Sequence, residues 1–202
     1  MIDFCIRRRQ PEDSIDDLTS MLHRAFAPMG QRGLNCQSID QTPATTRQRI
    51  DRGDCFVAVA DRRIVGTVTL QAPDASAAIR CYRDPEVASI HQLAVDPDYQ
   101  SAGIGHSLLQ TAVIWARTRR YAEIALDTPA PLHLLRDYYV RQGFKFAGLV
   151  WLAGRTYQSA VMTKQVGSRS KSAQIYAWPA RHPAEISLAA RESKVHFLRR
   201  VR

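Results

Sequence analysis

The chain has 202 residues, of which 45% are hydrophobic and 23% charged, and this composition is typical of a globular protein. No run approaches the roughly 20 apolar residues of a membrane-spanning helix, so we do not expect an integral membrane protein. The first residues lack the apolar core of a secretion signal, and we therefore expect a cytoplasmic protein.

The formal net charge of +9 is unevenly distributed along the chain. Residues 165–202 contain eight basic and two acidic side chains, whereas residues 1–164 contain 20 and 17. Residues 167–172 have the composition of a flexible linker, and residues 186–201 are compatible with a short basic helix. We therefore predict a domain at 1–164 and a basic tail at 165–202, and we expect no nucleic-acid binding outside this tail.

The four cysteines are widely spaced, at positions 5, 36, 55 and 81. No pair has the C-x-x-C spacing of a zinc ribbon or a thioredoxin-type site. In a reducing compartment such cysteines are expected to be small buried hydrophobic residues. The sequence therefore predicts no metal site and no disulfide framework.

Hydrophobic periodicity and turn residues predict strands and helices in chain order. The first half contains a strand at 4–7, helices at 11–28 and 42–53, and a hairpin at 55–60 and 64–70. The second half contains strands at 89–95 and 123–127, helices at 104–119 and 131–142, and strands at 144–150 and 157–164. This order predicts a mixed α/β domain.

The segment from Leu93 to His106 carries the strongest functional signal. It follows a strand, contains a Q-x-x-G-x-G turn from Gln100 to Gly105, and leads into a helix. Glycines let the backbone approach a ligand closely, and the unpaired N–H groups of a first helical turn attract phosphate. The segment lacks the lysine of a P-loop and the third glycine of a dinucleotide fingerprint.

This segment resembles the acyl-CoA pyrophosphate loop of the GNAT N-acetyltransferase superfamily. The stretch from Leu134 to Phe144, with Tyr139 four residues before Gly143, is similar to the family's helix-to-strand segment, and residues 150–164 are similar to its terminal hairpin. The resemblance covers about residues 3–164. It implies an α/β fold with a mixed, mostly antiparallel sheet of about seven strands and about four helices. It also implies acetyl transfer from acetyl-CoA, without a metal, to a primary amine of a small molecule or a protein.

The resemblance assigns roles to particular residues. The cofactor-binding residues that it implies are Leu93, Ala94, Val95, Gln100, Ser101, Ala102, Gly103, Ile104, Gly105 and His106. Tyr139 occupies the family's general-acid position, and a phenol is a competent proton donor to the CoA thiolate. Core packing is the alternative role for Tyr139, and the neighbouring Tyr138 is expected to point elsewhere.

The general base is less well defined. In some family members a carboxylate opens the strand before the phosphate turn, and here that position holds Ser89. The nearest candidates are Glu86, His91 and Glu123. His91 has a suitable ordinary pKa of about 6.5 and is expected on the same strand face as Leu93. A chain of water molecules without a dedicated base is the alternative.

The acceptor is expected to be bounded by the loop at 28–41 and by residues 74–84. The candidate lining residues are Met29, Gln31, Arg32, Leu34, Gln37 and Ser38, with an apolar wall from Trp151 and Tyr157. The mixed charges of these two segments indicate neither a cationic nor an acidic acceptor. The alternative function is a catalytically weak acyl-CoA sensor, and exposed terminal strands are compatible with a homodimer.

Overall fold

The computed structural model describes residues 2–169. These residues form seven strands and four α-helices. In chain order they are β1 (Cys5–Arg8), α1 (Ile15–Gly30), α2 (Pro43–Ile50), β2 (Asp54–Ala60), β3 (Arg63–Gln71), β4 (Val87–Val95), α3 (Ile104–Thr118), β5 (Glu123–Pro129), α4 (His133–Arg141), β6 (Lys145–Trp151) and β7 (Gln158–Gln165).

The strands form one sheet in the order β1-β2-β3-β4-β5-β7-β6. Neighbouring strands are antiparallel except for β4 and β5, which run parallel. The predicted mixed, mostly antiparallel sheet is thereby confirmed. No helix within residues 2–169 is long and apolar enough to cross a lipid bilayer.

Helices α1 and α2 begin at residues whose hydroxyl groups cap the helix. The Ser14 Oγ atom accepts a hydrogen bond from the Asp17 N–H at 3.1 Å, and Thr42 caps α2 in the same way. The prediction placed the start of α1 at Pro11, four residues too early, because the local cap is Ser14. The chain before Ser14 forms a turn in which Arg7 pairs with Asp13.

The two faces of the sheet are covered by different apolar clusters. The α1-side cluster contains Leu18, Met21, Leu22, Ile50 and Val57 among its buried residues. The α3-side cluster contains Val68, Ile90, Leu108, Ile124 and Tyr139 among its buried residues. Burial of each large aliphatic side chain contributes about 2 kcal/mol, so these clusters hold the helices firmly against the sheet.

The parallel pair β4–β5 is only three residues long. It extends from Val87 paired with Glu123 to Ser89 paired with Ala125. Beyond these positions β4 continues to Val95 and β5 to Pro129 without pairing to each other. The sheet therefore splits in its middle.

A bulge interrupts β4 within the separated part. Gln92 has a left-handed backbone with φ of +49°, and the pairing register with β3 shifts between Thr67 and Thr69. A bulge inserts an extra residue and reverses the alternation of side chains beyond it. Residues before and after Gln92 therefore do not follow one continuous pattern of alternating faces.

The packed chain continues past the predicted domain boundary at residue 164. Val166 is buried in the α3-side cluster, and Arg169 pairs with the fully buried Asp84 and with Glu123. Most of the predicted basic tail, including the possible helix at 186–201, lies outside the described residues.

Candidate active site

A cleft of about 620 Å³ lies where β4 and β5 separate. Its walls are formed by residues 90–95 of β4 and 126–129 of β5. One side is formed by helix α4 and by the loop that precedes α3. The other side is formed by α1, α2 and the β6–β7 loop. The split in the sheet thus creates a passage between the two helical layers.

The loop between β4 and α3 is shaped to present backbone N–H groups. Ser101 and Gly103 have positive φ angles of 63° and 87°, and α3 then begins at Ile104 without a side-chain cap. Asp96 steadies the start of this loop, because its carboxylate accepts hydrogen bonds from the Asp98 N–H and from Arg24 of α1. Such a series of amides at a helix start is suited to bind phosphate oxygens.

Nine of the ten cofactor-binding residues implied by the resemblance line this cleft. They are Leu93, Ala94, Val95, Gln100, Ser101, Gly103, Ile104, Gly105 and His106. Ala102 packs against the α3-side cluster instead. The side chain of Ile104 is also buried, with 1% exposed, so its backbone is the part available to a ligand.

Tyr138 and Tyr139 both line the cleft, although we expected Tyr138 to point elsewhere. The two rings meet edge to face, with 5.5 Å between their centroids. A β-carbon placed on Gly105 would lie 3.1 Å from the Tyr138 hydroxyl oxygen. The absence of a side chain at Gly105 therefore allows the Tyr138 hydroxyl to approach the phosphate loop.

Tyr139 is buried against Phe144, and burial raises the pKa of its phenol above the ordinary value of 10. The hydroxyl forms no hydrogen bond with any group of residues 2–169. Tyr139 is therefore protonated at neutral pH, and its proton is not committed to a described protein acceptor.

His91 lies on the face of the sheet opposite to α3. Its neighbour Ile90 belongs to the α3-side cluster, whereas the His91 ring meets Tyr82 at 5.5 Å between centroids. The prediction that His91 shares a face with Leu93 is wrong, because Leu93 packs against the α3-side cluster. The bulge at Gln92 separates the two residues and reverses the alternation.

The His91 Nε2 atom lies 2.8 Å from the Ser89 hydroxyl oxygen. Burial lowers the pKa of His91 to about 4, although the negative charge of Asp127 opposes this shift. The imidazole is therefore neutral at physiological pH. A neutral imidazole can accept a proton but carries no resting positive charge.

Asp127 is a cleft residue that was not predicted from the sequence. Asp127 and His91 each stand two positions beyond the last paired residues, Ala125 and Ser89. The Tyr82 hydroxyl donates a hydrogen bond to Asp127 at 3.1 Å. The available sequence signal was an acidic residue directly after the apolar run Ile124–Leu126.

The other two predicted base candidates stand away from the cleft. Glu123 pairs with Val87 at the closed end of the β4–β5 pair, and Glu86 immediately precedes that pair. Glu123 also pairs with Arg169. Neither Glu86 nor Glu123 lines the cleft.

The expected acceptor boundary is only partly correct. Met29, Gln37, Ser38 and Tyr157 line the cleft. Residues 74–84 do not line the cleft. Tyr82, which belongs to this segment, donates a hydrogen bond to the cleft residue Asp127. The remaining candidates that do not line it are Gln31, Arg32, Leu34 and Trp151, the last with 63% of its surface exposed.

Two arginines supply positive charge to this side of the cleft, and neither was predicted. The Arg49 guanidinium donates hydrogen bonds to Ser38 at 3.0 Å and to Gln41 at 2.5 Å. The Arg155 guanidinium donates to the Asn35 carbonyl oxygen at 2.6 Å. Arg49 stands three residues after the buried Thr46, so the two residues share a face of α2. This spacing was the available sequence signal that Arg49 faces the interior. Arg155 lies in a loop without such a pattern.

Asn35 joins the loop after α1 to the loop between β6 and β7. Its amide nitrogen donates to the Gly154 carbonyl oxygen at 2.6 Å, and its side-chain oxygen accepts from the Thr156 N–H at 2.9 Å. These contacts, which we call the roof, join two loops whose neighbouring residues Cys36, Arg155 and Tyr157 line the cleft. Residues 2–169 contain no group of three or more His, Cys, Asp or Glu side chains arranged to hold a metal ion.

Comparisons with known proteins identify the family. Residues 18–144 match the acetyltransferase (GNAT) family. The chain is 28% identical to S-(2-succino)cysteine N-acetyltransferase of Bacillus subtilis (strain 168), over 77% of this chain and 92% of that protein. It is 31% identical to N-acetyltransferase 8 of Homo sapiens over 54% of this chain, and this match spans 46% of the human protein.

Solved structures show the same fold. The ribosomal-protein-S18-alanine N-acetyltransferase from Escherichia coli matches with a TM-score of 0.63 at 17% identity, over 84% of this chain and 98% of that one. A GNAT family acetyltransferase from Elizabethkingia anophelis with acetyl-CoA bound matches with a TM-score of 0.57 at 18% identity, over 80% and 97%. Because the family match covers more than half of the chain, this protein belongs to the GNAT acetyltransferase family and is an acetyl-CoA-dependent acyltransferase.

Proposed function

We propose that the protein transfers the acetyl group of acetyl-CoA directly to the nitrogen of a primary amine. The observation that carries this proposal is the separation of β4 from β5 beyond Ser89 and Ala125. The gap connects the phosphate-binding loop with His91 and Asp127 on the opposite face of the sheet. A thioester lying in this gap would be accessible to an amine from that face.

The backbone supplies the proposed CoA contacts. The amides at 100–106 would bind the pyrophosphate, since the first turn of α3 has no side-chain cap. The main chain of Leu93–Val95 would pair with the pantetheine arm as an added strand does. An N–H group of this segment would also stabilise the oxyanion, an effect worth about 3 kcal/mol for one such donor.

Proton transfers accompany the proposed chemical step. The amine nitrogen attacks the thioester carbon, a C–N bond forms, and the C–S bond then breaks. The amine proton passes to His91, directly or through water. Burial makes this imidazole a weak base, and the negative charge of Asp127 favours its protonated form. Tyr139 donates its proton to the departing CoA thiolate, and its raised pKa keeps the phenol protonated until the C–S bond breaks.

The nature of the acceptor and the compartment are finer parts of the proposal. The name of the Bacillus subtilis relative specifies an amino-acid derivative as its acceptor, which supports a small-molecule amine here. All four cysteines are free thiols, which is consistent with a reducing, cytoplasmic environment.

A thiol-release assay with acetyl-CoA and a panel of primary amines tests this function. Free CoA should appear together with an acetylated amine, identified by the mass increase of one acetyl group. A protein that binds acetyl-CoA in calorimetry but acetylates no amine would contradict the proposal and favour an acyl-CoA sensor.

A further inference from the structure

Arg49 is placed unusually for a charged side chain. It lines the cleft from α2, and burial lowers the pKa of its guanidinium to about 10, so it remains charged at neutral pH. Within residues 2–169, no carboxylate lies within ion-pair distance of Arg49. Burial of this cation is costly, and the negative charge of Asp127, which lies beyond ion-pair distance, offsets only part of that cost. A ligand that brings a negative charge into the cleft would remove this cost.

Arg155 adds a second positive charge to the same region. Its guanidinium lies 5.9 Å from the centre of the Tyr157 ring and, like Arg49, has no carboxylate partner in the described part of the chain. Burial lowers the pKa of Arg49 and the positive charge of Arg155 lowers it further, whereas burial raises the pKa of the nearby Cys36 thiol and both arginines oppose that rise. The two guanidinium groups therefore place two positive charges in the same part of the cleft.

A buried polar network holds Arg49 in position. The Gln41 side chain accepts a hydrogen bond from Arg49 and donates one to Thr46 at 2.7 Å. The Thr46 hydroxyl in turn lies 2.8 Å from that of Thr19 in α1. Gln41 is 4% exposed and Thr46 is fully buried. Such a fixed guanidinium is suited to bind a carboxylate through two parallel hydrogen bonds.

The charged groups on this side of the cleft come from different elements of the fold and are close enough to act on one another. Asp127 and the neutral His91 stand at the split of the sheet, whereas Arg49 and Arg155 project from α2 and the β6–β7 loop. We propose that the acceptor is an amine that also carries a carboxylate, such as an α-amino acid, with the carboxylate bound by Arg49 and Arg155 and the amine directed towards His91 and Asp127. This inference rests on the proposed amine acetylation and specifies its substrate class.

The test compares acids with their amides. The standard L-amino acids and S-methyl- and S-benzyl-L-cysteine are each assayed beside the matching α-carboxamide, with simple alkyl amines and polyamines included. The wild-type protein should acetylate at least one free acid with a kcat/KM tenfold or more above that of its carboxamide. Equal or better use of the carboxamides would overturn the inference, as would turnover of simple amines alone, while leaving amine acetylation intact.

Substitutions at Arg49 and Arg155 test whether these two residues cause the preference for the free acid. Arg49→Gln and Arg155→Gln should each raise the KM for the acid about tenfold or more and should change the KM for the matching carboxamide by a much smaller factor. Arg47→Gln removes the same charge from the exposed face of α2 and should change neither rate. A preference for the acid that survives in both variants would contradict the assignment. If no amine of the panel is acetylated although acetyl-CoA binds, the proposed function fails, and this inference fails with it.

Discussion

Asn35 and Thr156 stand 121 positions apart in the sequence, and two hydrogen bonds join them across the roof of the cleft. The Asn35 side-chain oxygen accepts both the backbone N–H of Thr156 at 2.9 Å and its hydroxyl at 3.1 Å. The same loop holds Arg155 through the Asn35 carbonyl oxygen. Two irregular segments without shared secondary structure therefore enclose one side of the cleft.

Asn35→Ala should loosen this roof. Loss of its side-chain hydrogen bonds, which lie on the surface, should reduce the free energy of unfolding by about 1 kcal/mol. The KM for the amine should rise severalfold, because the Asn35 side chain no longer fixes Gly154 and Thr156 on either side of Arg155. Urea unfolding and steady-state kinetics measure both effects, and Gln31→Ala, in the same segment, is the control. An unchanged KM for the amine would show that the roof does not shape the acceptor site.

Tyr139→Phe should lower kcat tenfold or more, because the CoA thiolate would lose its proton donor. The melting temperature should change little, since the Tyr139 hydroxyl forms no hydrogen bond within residues 2–169. Tyr138→Phe is the matched variant and should instead weaken acetyl-CoA binding, because its hydroxyl lies beside Gly105. If Tyr139→Phe retains full kcat, another group protonates the thiolate.

Gly103→Ala should weaken acetyl-CoA binding, measured by calorimetry. Its φ of 87° is unfavourable for alanine by about 1 kcal/mol, and the new methyl group would point into open space at the phosphate loop. Gly154→Ala imposes a similar strain at φ of 76°, also in open space, but in the β6–β7 loop. Both proteins should fold, and equal acetyl-CoA affinities would argue against phosphate binding at residues 100–106.

His91 should make the folded protein sensitive to acid. Its pKa is about 4 in the folded protein, against 6.5 for a histidine exposed to water, so the unfolded chain binds the extra proton between these values. Stability should therefore fall as the pH is lowered from 6.5 to 4, by up to about 3 kcal/mol from this group. Urea titrations at several pH values should show a weaker dependence in His91→Gln. The same slope in both proteins would contradict a buried, neutral His91.

Local sequence patterns predicted most of the fold because the signals were short-range. Capping residues, glycine turns and alternating apolar residues predicted the strands and helices to within a few residues. The Q-x-x-G-x-G turn predicted the tight loop before α3, because left-handed backbone and an uncapped helix start depend on neighbouring residues alone. Tyr139 was likewise identified through a local motif that ends at Gly143 and Phe144.

The acceptor side required the tertiary structure. The bulge at Gln92 places His91 and Leu93 on opposite faces of the sheet. It arises from pairing with β3, and no residue type in the sequence predicts it. Asp127 and His91 come together because β4 and β5 stop pairing two residues earlier. Arg49 and Arg155 are 106 positions apart, and only the packing of α2 and the β6–β7 loop around the split sheet brings their charges to one cleft. The sequence alone thus predicted the fold and a candidate phosphate-binding loop, whereas long-range packing decided which charges line the cleft.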